Sequence, residues 1–302
     1  MGTHEYHDDP RNESLLISVN GKLFPRSEAK VSVFDAGYLL GDGVWESFRL
    51  HNGVLVFLEE HLDRLLHGAA DISMEPKRTR EEIRDEILRV VKANGMHDDV
   101  HLRLILSRGI KPTPYQAPWV ISSPPTLVII PEYKKANPDR AVEGIKLVSV
   151  GVRRGGSEIQ NPRINSLSKH NCIAACIDAR EKGGDEGLML DPNGFVSTCN
   201  STHFFIVKGE EVWTSTGEFC LDGITRRKVL ELCDSNGIPS FERNFVLDDV
   251  RSADEAFVTG TFAGLIPVVE FDGSAVSEGE RGPLCKRLQD LYIELVREEC
   301  GV

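Results

Sequence analysis

The chain has 302 residues, with 47 acidic and 35 basic side chains and a net charge of −12 when histidine is neutral. That acidic excess argues against a nucleic-acid or anionic-membrane partner, because nonspecific attraction to polyphosphate needs a surplus of Lys and Arg. Hydrophobic and charged fractions of 40% and 27%, with 27 glycines and 15 prolines, are ordinary globular values and argue against disorder and fibrous repeats. Apolar runs such as residues 127–130 fall far short of the roughly 20 residues that cross a bilayer. The start, MGTHEYHDDPRNE, is polar and acidic, unlike a secretory signal, so a cytoplasmic protein is expected. Seven cysteines form no CxxC pair and read as reduced thiols. Cys172 and Cys176 stand one helical turn apart in an apolar stretch, which reads as core packing, and no metal site is expected. The length allows two domains of about 150 residues each.

In chain order, residues 15–19 alternate weakly and meet Asn20-Gly21, the signature of a type I′ hairpin turn. The same pattern recurs where residues 44–50 and 54–57 flank Asn52-Gly53. Leu62, Leu65, Leu66 and Ala69 give a helix over about 59–70, and Ile83, Ile87, Val90 and Val91 a second over about 79–93, ending at Asn94-Gly95. Strands follow at 101–107 and 126–131. On the first, alternation puts His101 and Arg103 on one face and Leu102 and Leu104 on the other. The polar stretch PEYKKANPDR is the linker candidate, which gives a small N-terminal α/β lobe (1–131), a linker (132–140) and a larger C-terminal domain (141–302). The latter reads as a strand at 145–150, a Gly/Arg-rich loop at 151–163, a helix at 168–182, strands at 188–190 and 203–207, a helix at 225–236, strands at 256–258 and 265–269, and a last helix at 283–298. This mixture is α/β or α+β.

Three stretches combine glycine with a turn or helix start. In Leu221-Asp222-Gly223-Ile224-Thr225-Arg226 the first amides of a helix lack intrahelical partners and suit a phosphate, although for this stretch alone Thr225 or Asp222 as an ordinary N-cap is the simpler reading. Thr259-Gly260-Thr261 follows an apolar strand and offers amides and two hydroxyls, or a plain turn. Residues 34–43, FDAGYLLGDG, read as a buried, tightly turned loop.

Taken together, FDAGYLLGDGVWESFR (34–49), EEHLDRL (59–65), GLMLDPNGFVS (187–197), LDGITR (221–226) and ADEAFVTGT (253–261) resemble the fold-type IV pyridoxal-phosphate enzymes. That family holds branched-chain and D-amino-acid aminotransferases and aminodeoxychorismate lyase, and the resemblance spans about residues 15–295. It implies a two-domain fold with pyridoxal 5′-phosphate between the domains, and a homodimer. It also implies that the cofactor phosphate is held by Arg64, by the amides of Ile224 and Thr225, and by Gly260 and Thr261. Arginine offers a planar fork matched to phosphate oxygens; without the resemblance, Arg64 would read as an exposed partner of Glu60 on the same helix.

Two positions depart from the family. Its chemistry needs a lysine amine that holds the cofactor and shuttles the substrate proton. Counting back from Glu181-Lys182-Gly183 places that lysine at 164–166, which here are Ile164, Asn165 and Ser166. The nearest amine is Lys169, where several relatives have a tyrosine, so the lysine is expected to have migrated to Lys169. Relatives also carry a glutamate beside the pyridine nitrogen; here Thr198 takes its place, which weakens the electron sink. For the substrate, the resemblance to a Tyr-Ile-Arg strand of branched-chain enzymes points to Arg103 as the carboxylate ligand, with His101 beside it and Trp45 as a pocket wall. GYLLGDGVWE is closer to the D-amino-acid group, so the hand of the substrate stays open. The function expected is transfer of an amino group between an amino acid or amine and a 2-oxo acid. The alternatives are an aminodeoxychorismate-type lyase and a homologue that binds the cofactor or its pyridoxamine form without catalysis.

Overall fold

A computed structural model describes residues 8–302. Its contacts divide the chain into two compact units. Of the described residues, one unit takes 8–135 together with Ile164–Lys169 and Glu299–Val302; the other takes Ala136–Arg163 and His170–Glu298.

The N-terminal unit is a six-stranded antiparallel sheet with two main helices. Its elements are β1 (Leu16–Val19), β2 (Lys22–Pro25), a short α1 (Ala36–Leu40), β3 (Gly43–His51), β4 (Val54–Leu55), α2 (Leu58–Asp71), α3 (Arg80–Ala93), β5 (Val100–Ser107) and β6 (Thr126–Tyr133), with strand order β2-β1-β6-β5-β3-β4. Both expected hairpins form. Asn20 and Gly21 (φ 50° and 80°) and Asn52 and Gly53 (49° and 78°) are left-handed in pairs, which matches the right-handed twist of the strands they join. Thr79 opens α3 with a reciprocal capping box to Glu82. Leu62, Leu65 and Ala69 of α2 and Ile83, Ile87 and Val90 of α3 form one core with Phe48, Leu50, Leu102, Leu104 and Leu106 of the sheet.

The glycine-rich run at 34–43 differs from expectation. It is tightly turned but not buried: α1 is five residues long, capped by Asp35 and closed at Gly41, and Phe34, Tyr38 and Leu40 are exposed. The small residues face inward. A Cβ on Gly37 would lie 2.9 Å from Ser107 Cβ, so only Ala36 and Gly37 fit against the sheet and the large side chains turn out.

The second unit comprises α4 (Arg140–Glu143), β7 (Ile145–Ser149), α5 (His170–Glu181), β8 (Glu186–Leu190), β9 (Val196–Cys199), β10 (His203–Lys208), β11 (Glu211–Thr214), α6 (Ile224–Ser235), β12 (Ser240–Glu242), α7 (Leu247–Arg251), β13 (Glu255–Gly260), β14 (Gly264–Phe271), β15 (Ser274–Ala275) and α8 (Pro283–Glu299). Its sheet runs β12-β11-β10-β13-β14-β7-β8-β9, with β15 on β14. Pairs β11/β12, β14/β7 and β7/β8 are parallel and the rest antiparallel, so the sheet is mixed.

Cys172 and Cys176 are not core residues. Helix α5 lays Ala175 and Ala179 against the sheet, where a Cβ on Gly187 would lie 3.1–3.2 Å from Ala175 O and Ala179 Cβ, and so turns Ile173, Cys176 and Ile177 outward. Cys172 is half-buried and takes a hydrogen bond from Arg154 Nη1 at 3.3 Å. All seven cysteines are free thiols. Among the described residues no helix is long and apolar enough to cross a membrane.

Candidate active site

In the N-terminal unit, alternation along β3 and β5 sorts the chemistry onto two faces. Val44, Glu46, Phe48 and Leu50 are buried and face the helices; Trp45, Ser47 and Arg49 face away from them. On β5, Leu102, Leu104 and Leu106 join the core, while His101 and Arg103 share the outer face. Pairing sets Ser47 opposite Arg103 and Arg49 opposite His101. The Arg103 guanidinium therefore lies over the Trp45 ring, 3.8 Å from its centroid. Burial pushes the pKa of Arg103 down, against the pull of Glu132 and Glu46.

Residues 164–169 run beside the start of β3. Trp45 N–H donates to Asn165 O at 2.9 Å, Leu167 N–H to Gly43 O at 3.0 Å, and Val44 bridges Ser166. The indole of Trp45 donates to Ser166 O at 3.1 Å. Antiparallel register turns Ile164 and Ser166 to the core side and Asn165 to the side of Trp45. Asn165 is buried, and its Oδ1 has no hydrogen-bond partner among the described residues. Lys169 closes the segment with Nζ 5.7 Å from the Trp45 ring centroid. Trp45, Arg103 and Lys169 are thus brought together on one face.

Arg64 is on the other face. Its Nε and Nη2 donate to Oε1 and Oε2 of Glu46, both at 2.7 Å, and His61 Nδ1 lies 2.7 Å from Glu46 Oε2. Burial pushes Glu46 up, but the charge of Arg64 and the hydrogen bonds from Arg64 and His61 outweigh it and hold the carboxyl at about 2. Glu46 and His61 are functional candidates absent from the sequence reading. Two signals marked them: a glutamate on the core side of an alternating strand, and a histidine one helical turn before Arg64.

In the second unit, α6 begins at Ile224, with Gly223 as an N-cap that has no side chain to offer the first amides. Ile224 and Thr225 are buried. A Cβ on Gly223 would lie 2.2 Å from His203 Nε2, so the His203 ring fills the space against the helix start. His203 in turn pairs with Thr259 across β10 and β13, which brings the α6 N-terminus to the Thr259-Gly260-Thr261 turn. Thr259 Oγ1 is buried with no partner among the described residues. Thr198 lies next in this arrangement: its hydroxyl donates to Thr202 O at 2.8 Å, and Thr202 packs on Gly260. Since that proton is committed, Thr198 Oγ1 can only accept from a further group.

The chain matches the family model Amino-transferase class IV over residues 43–271. It belongs to the class IV aminotransferases. It is 40% identical over 286 residues to branched-chain-amino-acid aminotransferase-like protein 2 of Arabidopsis thaliana, covering 95% of this chain and 51% of that protein. It therefore spans about half the length of this relative. A putative branched-chain-amino-acid aminotransferase of Methanocaldococcus jannaschii is 35% identical over 300 residues, covering 95% of this chain and 98% of that protein. In three dimensions the chain resembles the branched-chain aminotransferase of Thermoproteus uzoniensis solved with norvaline, at a TM-score of 0.85 and 28% identity over 95% of this chain and 96% of that one. The two-unit α/β architecture is that of fold type IV.

Class IV aminotransferases use pyridoxal phosphate, and the second unit fits the phosphate of that group. An uncapped helix start presents backbone amides, and an orphaned buried hydroxyl, Thr259 Oγ1, stands near the end of the adjoining strand β13. In the N-terminal unit, the Lys169 amine and the Arg103 guanidinium stand beside one Trp45 ring.

Proposed function

We propose that this chain binds pyridoxal 5′-phosphate and moves an amino group between an amino acid and a 2-oxo acid, with Lys169 as the amine that holds the cofactor and carries the substrate proton. When bound, the cofactor supplies the electron sink for the bond broken at the substrate α-carbon. Arg64, the amides of Ile224 and Thr225, Gly260 and Thr261 would hold its phosphate. Arg103 would take a substrate carboxylate in its planar fork, Trp45 would wall the pocket, and His101 would lie beside Arg103 on the same face. The observation that carries this reading is the placement of Lys169 Nζ and Arg103 over the one Trp45 ring. The names of the relatives described above support a branched-chain amino acid as donor, while D-alanine aminotransferases of Listeria monocytogenes and Bacillus licheniformis, 30% and 32% identical, leave the hand of the substrate open.

Borohydride reduction of the purified protein followed by peptide mapping tests the assignment. The cofactor should be fixed on Lys169, and Lys169→Ala should abolish both fixation and transfer. Fixation that survives in the Ala variant sinks the role of Lys169. A second reading, a homologue that binds the pyridoxamine form without catalysis, is favoured by the absence of lysine from 164–166 and by Thr198, whose proton is committed to Thr202 O. It predicts that no adduct forms and that binding of pyridoxamine phosphate is retained. The family resemblance also supports a homodimer: Tyr38, Trp119, Ile173 and Ile177 are large exposed hydrophobics that a second copy would cover. Light scattering gives the mass directly, and a monomer at micromolar concentration removes that part of the proposal.

A further inference from the structure

Glu46 is a carboxylate in the wrong place for an ordinary strand residue. Its neighbours on the core face are Val44 and Phe48, and its side chain is fully buried. A lone carboxylate cannot stay ionised there, so the fold must meet it with donors. Two come from α2, three residues apart and so on one face of the helix. Arg64 approaches side-on, Nε to Oε1 and Nη2 to Oε2 at 2.7 Å each, and His61 Nδ1 reaches Oε2 at 2.7 Å. Oε2 is shared, so the three side chains form one unit. The His61 ring is buried, tilts against Phe48 at 5.6 Å between centroids, and leaves Nε2 without a partner among the described residues. Burial drives the pKa of His61 down, so the ring is neutral, with its one proton on Nδ1 and directed at Glu46.

The paired bonds do more than neutralise. Two parallel N–H···O contacts fix the plane of the guanidinium, and His61 fixes the carboxylate that sets the plane. We infer that Glu46 and His61 are positioning residues for phosphate binding, holding the Arg64 guanidinium in the orientation that receives the cofactor phosphate. This rests on the proposed reading that Arg64 binds that phosphate. Neither residue needs to touch the cofactor; each acts through Arg64, in the way that partners of metal ligands act through the ligand.

The charge of Glu46 makes the role testable by sign. Glu46→Gln removes one negative charge beside Arg64. If Glu46 only offset the charge of Arg64, the variant would bind an anion more tightly. If it positions Arg64, the variant binds phosphate more weakly, because the Gln amide nitrogen presents donors to the guanidinium and the side-on pair is lost.

The experiment measures dissociation constants of the full-length wild type and variants for pyridoxal 5′-phosphate and for pyridoxal, which lacks the phosphate, by quenching of tryptophan fluorescence. Glu46→Gln should weaken pyridoxal phosphate about tenfold or more while pyridoxal stays within about twofold, the size of effect seen when an orienting partner is removed. His61→Leu should follow Glu46→Gln in direction. His61→Asn, whose carboxamide N–H can stand where Nδ1–H stands, should restore affinity to within about twofold of wild type. This His61 pair carries the test if Glu46→Gln fails to fold. Equal losses for both ligands mean a merely structural role and overturn the inference, as does unchanged or tighter binding of pyridoxal phosphate. Wild-type protein that binds neither ligand overturns the cofactor reading, and this assignment with it.

Discussion

At Arg103 a partly buried guanidinium lies 3.8 Å above the Trp45 ring, with its pKa lowered by burial against the pull of Glu132 and Glu46. Such a group gains from an incoming carboxylate more than a surface arginine does, because its desolvation has already occurred. A charge-assisted bond of about 1.5–3 kcal/mol corresponds to roughly 10- to 100-fold, so Arg103→Leu should raise KM for the carboxylate substrate by that range. An unchanged KM removes Arg103 from substrate binding. Thr198 can be interrogated the same way. With its proton on Thr202 O, it would accept from a protonated ring nitrogen placed beside it but would not supply the charge that keeps the ring protonated. Thr198→Glu should alter both turnover and the cofactor absorption band; no change in either places Thr198 away from the ring.

Between elements, the tightest fit near the proposed phosphate cradle is that of Gly223 on His203. A methyl group at 223 would lie 2.2 Å from Nε2, so Gly223→Ala must move the ring or the first turn of α6. Overpacking of this kind costs about 1–3 kcal/mol, and urea titration should register it together with weaker pyridoxal phosphate binding. Full stability with unchanged binding would show that the ring moves aside freely. Sequence periodicity reached most of the architecture. Asn20-Gly21 and Asn52-Gly53 determine their hairpins because paired left-handed residues allow little else, and the split of His101 and Arg103 from Leu102 and Leu104 follows from strand alternation alone. Strands β9, β11 and β12, of three or four residues, are too short to show a period. Glu46 is hard to read from sequence because its fitness for the core depends on His61 and Arg64 arriving from another element, and so is the inward face of α1, because glycine leaves no hydrophobic signal. Asn165 was visible only as a missing lysine; its orphaned oxygen is a property of the neighbouring backbone.

On the scale of the whole chain, a net charge of −12 and an anionic cofactor would be reconciled locally, since backbone amides do not enter the global sum and one oriented arginine is a single charge within it. The buried triad also gives the protein an acid limb. Glu46 has its pKa held at about 2, below its ordinary 4.5, so the stability it contributes is complete above about 4.5 and is lost as pH falls toward 2. His61, also lowered from 6.5, is favoured neutral in the folded state and adds a loss that begins below about pH 6.5. Unfolding free energy should therefore fall from pH 8 to pH 6 to pH 4, and Glu46→Gln should flatten the part below 4.5. A profile flat from pH 8 to pH 4 would contradict the placement of the triad.

The bridge from Val44 to Ser166 joins positions that the chain separates by the rest of β3, strands β4 to β6, helices α2 and α3 and a passage through the second unit. In kinetic terms it closes a very long loop, whose entropy must be lost before the contact returns anything, and contacts of that kind form late. The local hairpins and helices around Trp45 can be complete while Lys169 is still unplaced. During refolding, far-ultraviolet ellipticity should recover before the capacity to fix pyridoxal phosphate with borohydride, and the interval between them is the time this protein exists with a formed scaffold and no amine in position.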